Sequence, residues 1–461
     1  MTFLSTPFQK VTLDVFSAFF TKLLKNADVL IDKELNLQQI RKIISDINEF
    51  LYTNYDGIGS TVTLDQEFEY LSDFHKFWEK HHGEILNPKI DEIKCSQAVD
   101  TLHNVFKTFG RKPFYELYNT FGLTPQEICQ IRYFSANQDF RGTREFEDLY
   151  QRYKDDPSTF DKDEIYTDPE GFLKKIRATE LSQSDKRARY AKTAAQILID
   201  NKIEPFDLFS FCGKDVEKVR DILVNNTGSG FGKKKADMFI RDMYVLRVWG
   251  EPKNFDKIDV ASDINTIKVA LRSGILRTDI PLLSSFLDIF CYQYGLMDGM
   301  NAKAWRRVWE IWRERYPEEC VESPSLIDYL AYRIIGKEFC RESLAIFRCE
   351  SKEHEFKWHS TRNKTCQVCY NNSVRSKAQV VGKVLPCTDK DGFIAITQSK
   401  FVAGPESALP GIKECPFVSV CHPREPEFRK LNPPKSISIL GATGWESART
   451  RRGEGGGGLM S

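Results

Sequence analysis

Net charge is nearly absent: 66 Lys and Arg stand against 65 Asp and Glu, leaving +1. A uniformly polybasic protein is therefore excluded, and any contact with nucleic acid has to come from local clustering. The chain has no run of 18 or more apolar residues, so no segment reads as a membrane-spanning helix. The opening MTFLSTPFQKVTLDVFSAFF is interrupted by Thr, Gln, Lys and Asp and has no signal-peptide core. A soluble, intracellular protein with no membrane partner is the expectation. No unit of roughly 20–50 residues recurs, which argues against a solenoid or propeller. Few segments between about 111 and 345 alternate with a period of two, which argues against an all-β fold.

What is present is a chain of 461 residues, 41% hydrophobic and 12% aromatic. That suffices for two or three domains with a substantial core. Residues 1–110 read as helical, with apolar positions recurring at three and four in LDVFSAFFTKLLKNADVLI and LQQIRKIISDINEFLY. Residues 111–345 read as a helical core, 346–425 as a small irregular, β-prone domain rich in Cys, and 426–461 as a flexible tail. The fold class expected is mainly α. Seven of the twelve cysteines follow residue 339. In a reducing compartment they imply free thiols or metal ligation rather than disulfides.

The stretch NNTGSGFGKKKADMFIRDM, residues 225–243, carries the most chemistry. Before it, Val216, Val219, Ile222 and Leu223 share one helical face. After it, Ala236, Phe239, Ile240 and Met243 do the same. Two helices thus meet across a glycine-rich turn. Gly228, Gly230 and Gly232 can adopt positive φ without steric cost, and Phe231 can tuck into the seam between the helices. The start of the second helix offers free N–H groups and a positive dipole end, a natural seat for phosphate. A plain solvated lysine run is the bland alternative.

The turn resembles the hairpin of the helix-hairpin-helix DNA glycosylases, the superfamily that includes 8-oxoguanine glycosylases. Its letters run Gly230, Phe231, Gly232, Lys233, Lys234, Lys235, Ala236. The helix KRARYAKTAAQIL, residues 186–198, is similar to one that precedes the hairpin in the 8-oxoguanine enzymes. The likeness covers about residues 185–275. It implies a glycosylase core in which Lys234 is the nucleophile. Gly228, Gly230, Gly232, Lys233, Lys235, Arg187 and Arg189 are then the candidates for holding DNA. It also implies an aspartate soon after the second hairpin helix, and Ile258-Asp259-Val260 supplies Asp259, with Asp263 and Asp256 as second and third choices. Position 261, often polar in the family, is Ala here.

The chemistry explains the pairing. Breaking an N-glycosidic bond builds positive charge on the sugar, which a carboxylate stabilises. A neutral lysine amine then attacks C1′ and forms a Schiff base that can eliminate the 3′ phosphate. The expected partner is double-stranded DNA with its target base flipped out. A wedge and a stacking surface are also required, with Trp249, Trp305, Trp309, Trp312 and Phe140 as aromatic candidates. Two alternatives stay open: a non-catalytic protein using the hairpin as a phosphate clamp, and a glycosylase of free modified nucleosides.

CQVC at 366–369 is a C-x2-C knuckle. Cys366 and Cys369, with Cys349 and His354 upstream, form a candidate ligand set for a structural zinc, with His359 in reserve. Unligated thiols are the alternative. The compact four-cysteine spacing of an iron–sulfur cluster is absent. Cys387, Cys415, Cys421 and His422 form a weaker second group.

Overall fold

The computed structural model describes residues 83–350 apart from 85, 116–117, 140–143, 181–182, 279–293 and 340–343. It also describes residue 18, the short stretches 61–64, 67–70, 355–358, 377–384, 387–388, 394–395, 415–417, 419–421 and 431–432, and residues 366 and 369. His354, His359, His422 and Phe140 lie outside the described residues, as does nearly all of the helix expected before residue 83.

The described chain is mainly helical. Its helices are α1 (Glu92–Phe109), α2 (Lys112–Tyr115), α3 (Pro125–Ala136), α4 (Phe146–Asp155), α5 (Lys162–Thr167) and α6 (Pro169–Lys175). They continue with α7 (Ser184–Asn201), α8 (Leu208–Phe211), α9 (Val216–Asn225), α10 (Lys233–Val245), α11 (Ile264–Ser273) and α12 (Tyr294–Arg315). A π-helical turn runs over Tyr329–Phe339. Local chemistry fixes several helix starts. Asp91 caps α1 by accepting the Lys94 N–H at 2.9 Å. Thr124 and Glu127 form a reciprocal capping box on α3, with Pro125 in the first turn. Asp215 caps α9.

Strands are short. β1 (Thr61–Leu64) and β2 (Glu67–Tyr70) make a hairpin. This hairpin is an addition to the mostly helical reading of residues 1–110, and TVTL and EFEY alternate and are rich in β-branched and aromatic residues. β3 (Lys89–Ile90) pairs antiparallel with β4 (Leu276–Arg277), bringing the end of α11 beside the start of α1. β5 (Leu344–Cys349) sits between β6 (Glu355–Trp358) and β7 (Ala378–Val384), both antiparallel to it. β8 (Cys387–Thr388), β9 (Ile394–Ala395) and β10 (Leu431–Asn432) form a third small sheet.

α10 packs between α9 and α3, and α12 lies against both α1 and α11. Their apolar faces form one core, to which Phe417 and Val420 from the cysteine-rich end also belong. Phe417 approaches Trp305 with ring centroids 6.1 Å apart, and the Lys94 ammonium donates to the Val420 carbonyl at 3.0 Å. Trp249, Trp305, Trp309 and Trp312 are all buried. They serve this core, with Trp249 stacked on Phe209 at 5.0 Å, rather than forming an exposed surface for a base.

A buried ionic network ties α3 to α10. Arg132 donates to Asp242 at 2.6 and 3.1 Å, and Asp242 also accepts from Arg241 at 2.7 Å. Arg241 reaches on to Asp328. Each charge has opposite-charge partners, the condition under which buried ions are tolerated.

Candidate active site at the hairpin

α9 and α10 meet as the sequence predicts. Val216, Val219 and Leu223 are buried on the first helix, and Ala236, Phe239, Ile240 and Met243 on the second. Phe231 is buried in the seam, 5.6 Å from the Tyr133 ring and 6.1 Å from that of Phe239. The turn is closed by Ser229. Its hydroxyl donates to the Leu223 carbonyl at 3.0 Å and accepts the Phe231 N–H at 3.2 Å. Gly228 and Gly230 have φ of +92° and +79°. Gly232 does not: it is the N-cap of α10 with extended backbone, φ −93°. Gly230 also permits a close approach, since a Cβ there would lie 2.5 Å from the Tyr190 ring and 3.0 Å from the Asn137 carbonyl.

Asn137 was not singled out by sequence, yet it organises the turn. Fully buried at the C-cap of α3, its amide donates to the Ser229 and Tyr190 carbonyls, each at 3.1 Å. The hairpin, α3 and α7 are thereby fixed to one another. Only the polar run after the apolar stretch IRYFSA hinted at this role.

The three consecutive lysines have three different environments. Lys233 is mostly exposed, and its ammonium contacts Asp259 Oδ2 at 2.6 Å. Lys235 turns inward, donating to the Asn137 carbonyl at 2.9 Å and lying over the Tyr190 ring. Burial, with Arg187, Lys186 and Lys234 nearby, pushes its amine down to about 8. Lys234 is exposed, and among the described residues it has no hydrogen-bond or ion-pair partner.

Asp259 is nearly buried and is held on both oxygens. Lys233 takes Oδ2, and Arg306 Nε from α12 takes Oδ1 at 2.6 Å. Arg306 also donates to the Asp256 carbonyl at 2.9 Å. Behind Asp259 lies Asp237, whose carboxylate accepts the Asp259 N–H at 3.4 Å and faces Arg220 at 3.4 Å. Burial pushes the Asp237 carboxyl up to about 7, with Asp259 adding to the rise and Arg220 and Lys233 opposing it. Asp263 is the N-cap of α11, its side chain accepting from Asn265 N and Thr266 N at 2.9 Å each. That settles its role as a helix cap. Asp256 lies 3.7 Å from Lys257 and 3.9 Å from Arg313.

Beyond Asp259, Ser262 is buried and accepts from Asn301 Nδ2 at 2.8 Å, and Asn301 also reaches Thr266 at 3.0 Å. In the first turns of α12, burial raises the Asp298 carboxyl above the ordinary carboxylate range, with Lys234 and Ser262 opposing the rise. Arg306, Asp298 and Asp237 were all missed by sequence reasoning.

The expected DNA-holding residues divide. Arg189 on α7 is partly exposed and lies over the Tyr190 ring, as does Lys186, which the sequence reading had not singled out. Arg187 is a correction. It is fully buried and donates to the Gln138 carbonyl at 2.6 Å, so it braces α7 against the end of α3 and is out of reach of a phosphate. Burial pushes its guanidinium down to about 10. Lys235, also turned inward, is a structural amine rather than a surface cation.

Cys349 at the end of β5, Cys366 and Cys369 form a second cluster, with all three sulfurs within 4.8 Å of one another. All three are buried, Cys349 and Cys369 sulfurs lie 3.7 Å apart, and the Cys369 N–H points at Cys366 Sγ at 3.4 Å. This cluster could hold a metal ion. Cys415 is buried in the helical core with Phe417 and Val420, and Cys421 is half-buried.

No protein-family model and no curated protein matches the chain. Among the described residues no helix is long and apolar enough to cross a membrane.

Proposed function

We propose that this protein is a DNA glycosylase, with Lys234 as Schiff-base nucleophile and Asp259 as the carboxylate that stabilises the developing oxocarbenium. The observation that carries the reading is the division among the three lysines. Lys233 and Lys235 are engaged, and Lys234 alone stands without a hydrogen-bond or ion-pair partner among the described residues, at the first turn of the hairpin's second helix. A free amine beside a phosphate-seating helix start is what attack on a sugar C1′ requires. Lys186 and Arg189 on the adjacent α7 supply local positive charge that the near-neutral chain otherwise lacks.

The three-thiol cluster is the natural site of a structural zinc, for which tetrahedral sulfur ligation suits a small sheet with little core.

One observation favours the rival reading of a non-catalytic clamp: Asp259 is saturated by two cations. Lys233 is exposed enough to leave the carboxylate for a DNA phosphate, which reconciles that contact with catalysis. The test is incubation with duplexes carrying single oxidised, alkylated or deaminated bases. Release of a base, abolished in Lys234→Gln, supports the enzyme. Retarded mobility with no base released from any duplex supports the clamp, and release only from free nucleosides supports the third reading.

A further inference from the structure

Two cations grip Asp259, and they are not equivalent. Arg306 projects from α12. Its Nε donates to Asp259 Oδ1 at 2.6 Å, and a second guanidinium nitrogen donates to the Asp256 carbonyl at 2.9 Å. One planar group thus ties the carboxylate, and the backbone three residues before it, to a single helix. That helix is itself fixed. Trp305 and Trp309, close to Arg306 in sequence, are buried, and α12 lies against both α1 and α11. Lys233 holds the other oxygen, Oδ2, also at 2.6 Å, with one ammonium on a flexible stem. The Lys233 side chain is 59% exposed, against 24% for Arg306 and 10% for Asp259. The Oδ1 side of the carboxylate is therefore closed off by α12, and the Oδ2 side is met by a group that lies largely in solvent.

We infer that Arg306 is the positioning residue of the site: it fixes Asp259 through Oδ1 and so makes Oδ2 the oxygen that meets the developing positive charge on the sugar. This rests on the glycosylase reading. The Lys233 ammonium occupies the place on Oδ2 where that charge is to develop, and its contact shows that a positive centre fits there. Exchanging the ammonium for the charge on the sugar leaves the carboxylate oriented, because neither Arg306 contact involves Oδ2. Asp237 adds a hold from behind, accepting the Asp259 N–H at 3.4 Å, but it steadies the backbone and not the oxygens.

Orientation is what such a carboxylate has to contribute. A group already aimed at the place where charge appears needs no reorganisation as the bond breaks. Without Arg306, the carboxylate is left with one mobile partner and can turn about its own side-chain torsions.

The test is single-turnover base release at saturating protein, from whichever of the oxidised, alkylated or deaminated duplexes the wild type acts on, measured beside the affinity for that same duplex. Arg306→Met should slow release roughly 100-fold, the scale of a misplacement of about 1 Å, and leave the affinity as it is. Arg306→Lys should recover part of the rate. In an Asp259→Ala background, Arg306→Met should cost nothing further, because Arg306 acts through that carboxylate. Lys233→Met should lose much less single-turnover rate than Arg306→Met. Additive losses in the double variant overturn the inference. So does a loss confined to affinity, which makes Arg306 a phosphate contact. Arg306→Gln carries the same measurements if the Met variant does not fold. No base released by the wild type from any duplex is a separate failure: it overturns the glycosylase reading, and the inference falls with it.

Discussion

Asp237 is the residue whose charge state is most closely tied to the site. Its carboxyl is pushed up to about 7 by burial, against about 3.9 in an unfolded chain. An acid with a raised folded-state value binds its proton more tightly when folded. Its contribution to stability is full below about pH 4 and is lost as the pH rises to about 7. Asp237→Asn removes that dependence. The urea midpoint of the wild type should therefore fall between pH 5 and 8 relative to the variant, and parallel curves would show that Asp237 is ionised throughout. At this scale the sequence was half legible. The hairpin could be read from the spacing of its apolar residues and glycines, whereas Lys234 and Asp259 were named only through the resemblance of that turn to the glycosylases. Arg306 could not be named either way: it arrives on α12, far along the chain from Asp259, and nothing local marks which polar face of that helix looks toward the site. Arg187 was misread because a basic residue in KRARY looks exposed, and only the packing of α7 against the Gln138 carbonyl buries it.

Among the elements, the hairpin was the most readable, since its apolar positions and small-residue turn agree with one another. The glycines within it are not equivalent. At Gly230, φ is +79° and an added Cβ would meet Tyr190 and Asn137. Gly230→Ala should cost about 3 kcal/mol, combining left-handed strain with overpacking. At Gly232, φ is −93° and nothing lies within 4 Å of an added Cβ. Gly232→Ala should stay within about 0.5 kcal/mol of the wild type. Thermal melting of the two variants checks the contrast, and equal losses would contradict this account of the turn. The β1–β2 hairpin was lost in the sequence for the opposite reason. It is short, and the helical periodicity on either side of TVTLDQEFEY overrode its alternation.

At the scale of the whole molecule, the helical core and the cysteine-rich end are joined. Phe417 and Val420 lie in the core, and Lys94 of α1 holds the Val420 carbonyl. Sequence composition placed these segments in separate units, because a shift in residue types says nothing about which apolar side chains share an interior. The thiol cluster at the end of β5 was legible through its knuckle spacing, since metal ligands must recur at short intervals. Purified protein should carry about one zinc per chain. Its removal by a chelator should lower the melting temperature, and so should Cys366→Ser without chelator. Full stability of metal-free protein would contradict a structural zinc. With charge near zero overall, the basic residues gathered beside the hairpin matter most, and among the described residues Lys234 has no hydrogen-bond or ion-pair partner while Lys233 and Lys235 are engaged. The most direct measurement is peptide mapping by mass spectrometry of the covalent adduct formed with an abasic duplex under borohydride. The account predicts that the sugar mass is carried by Lys234. An adduct on Lys233 or Lys235, or none on any lysine of the hairpin, would contradict it.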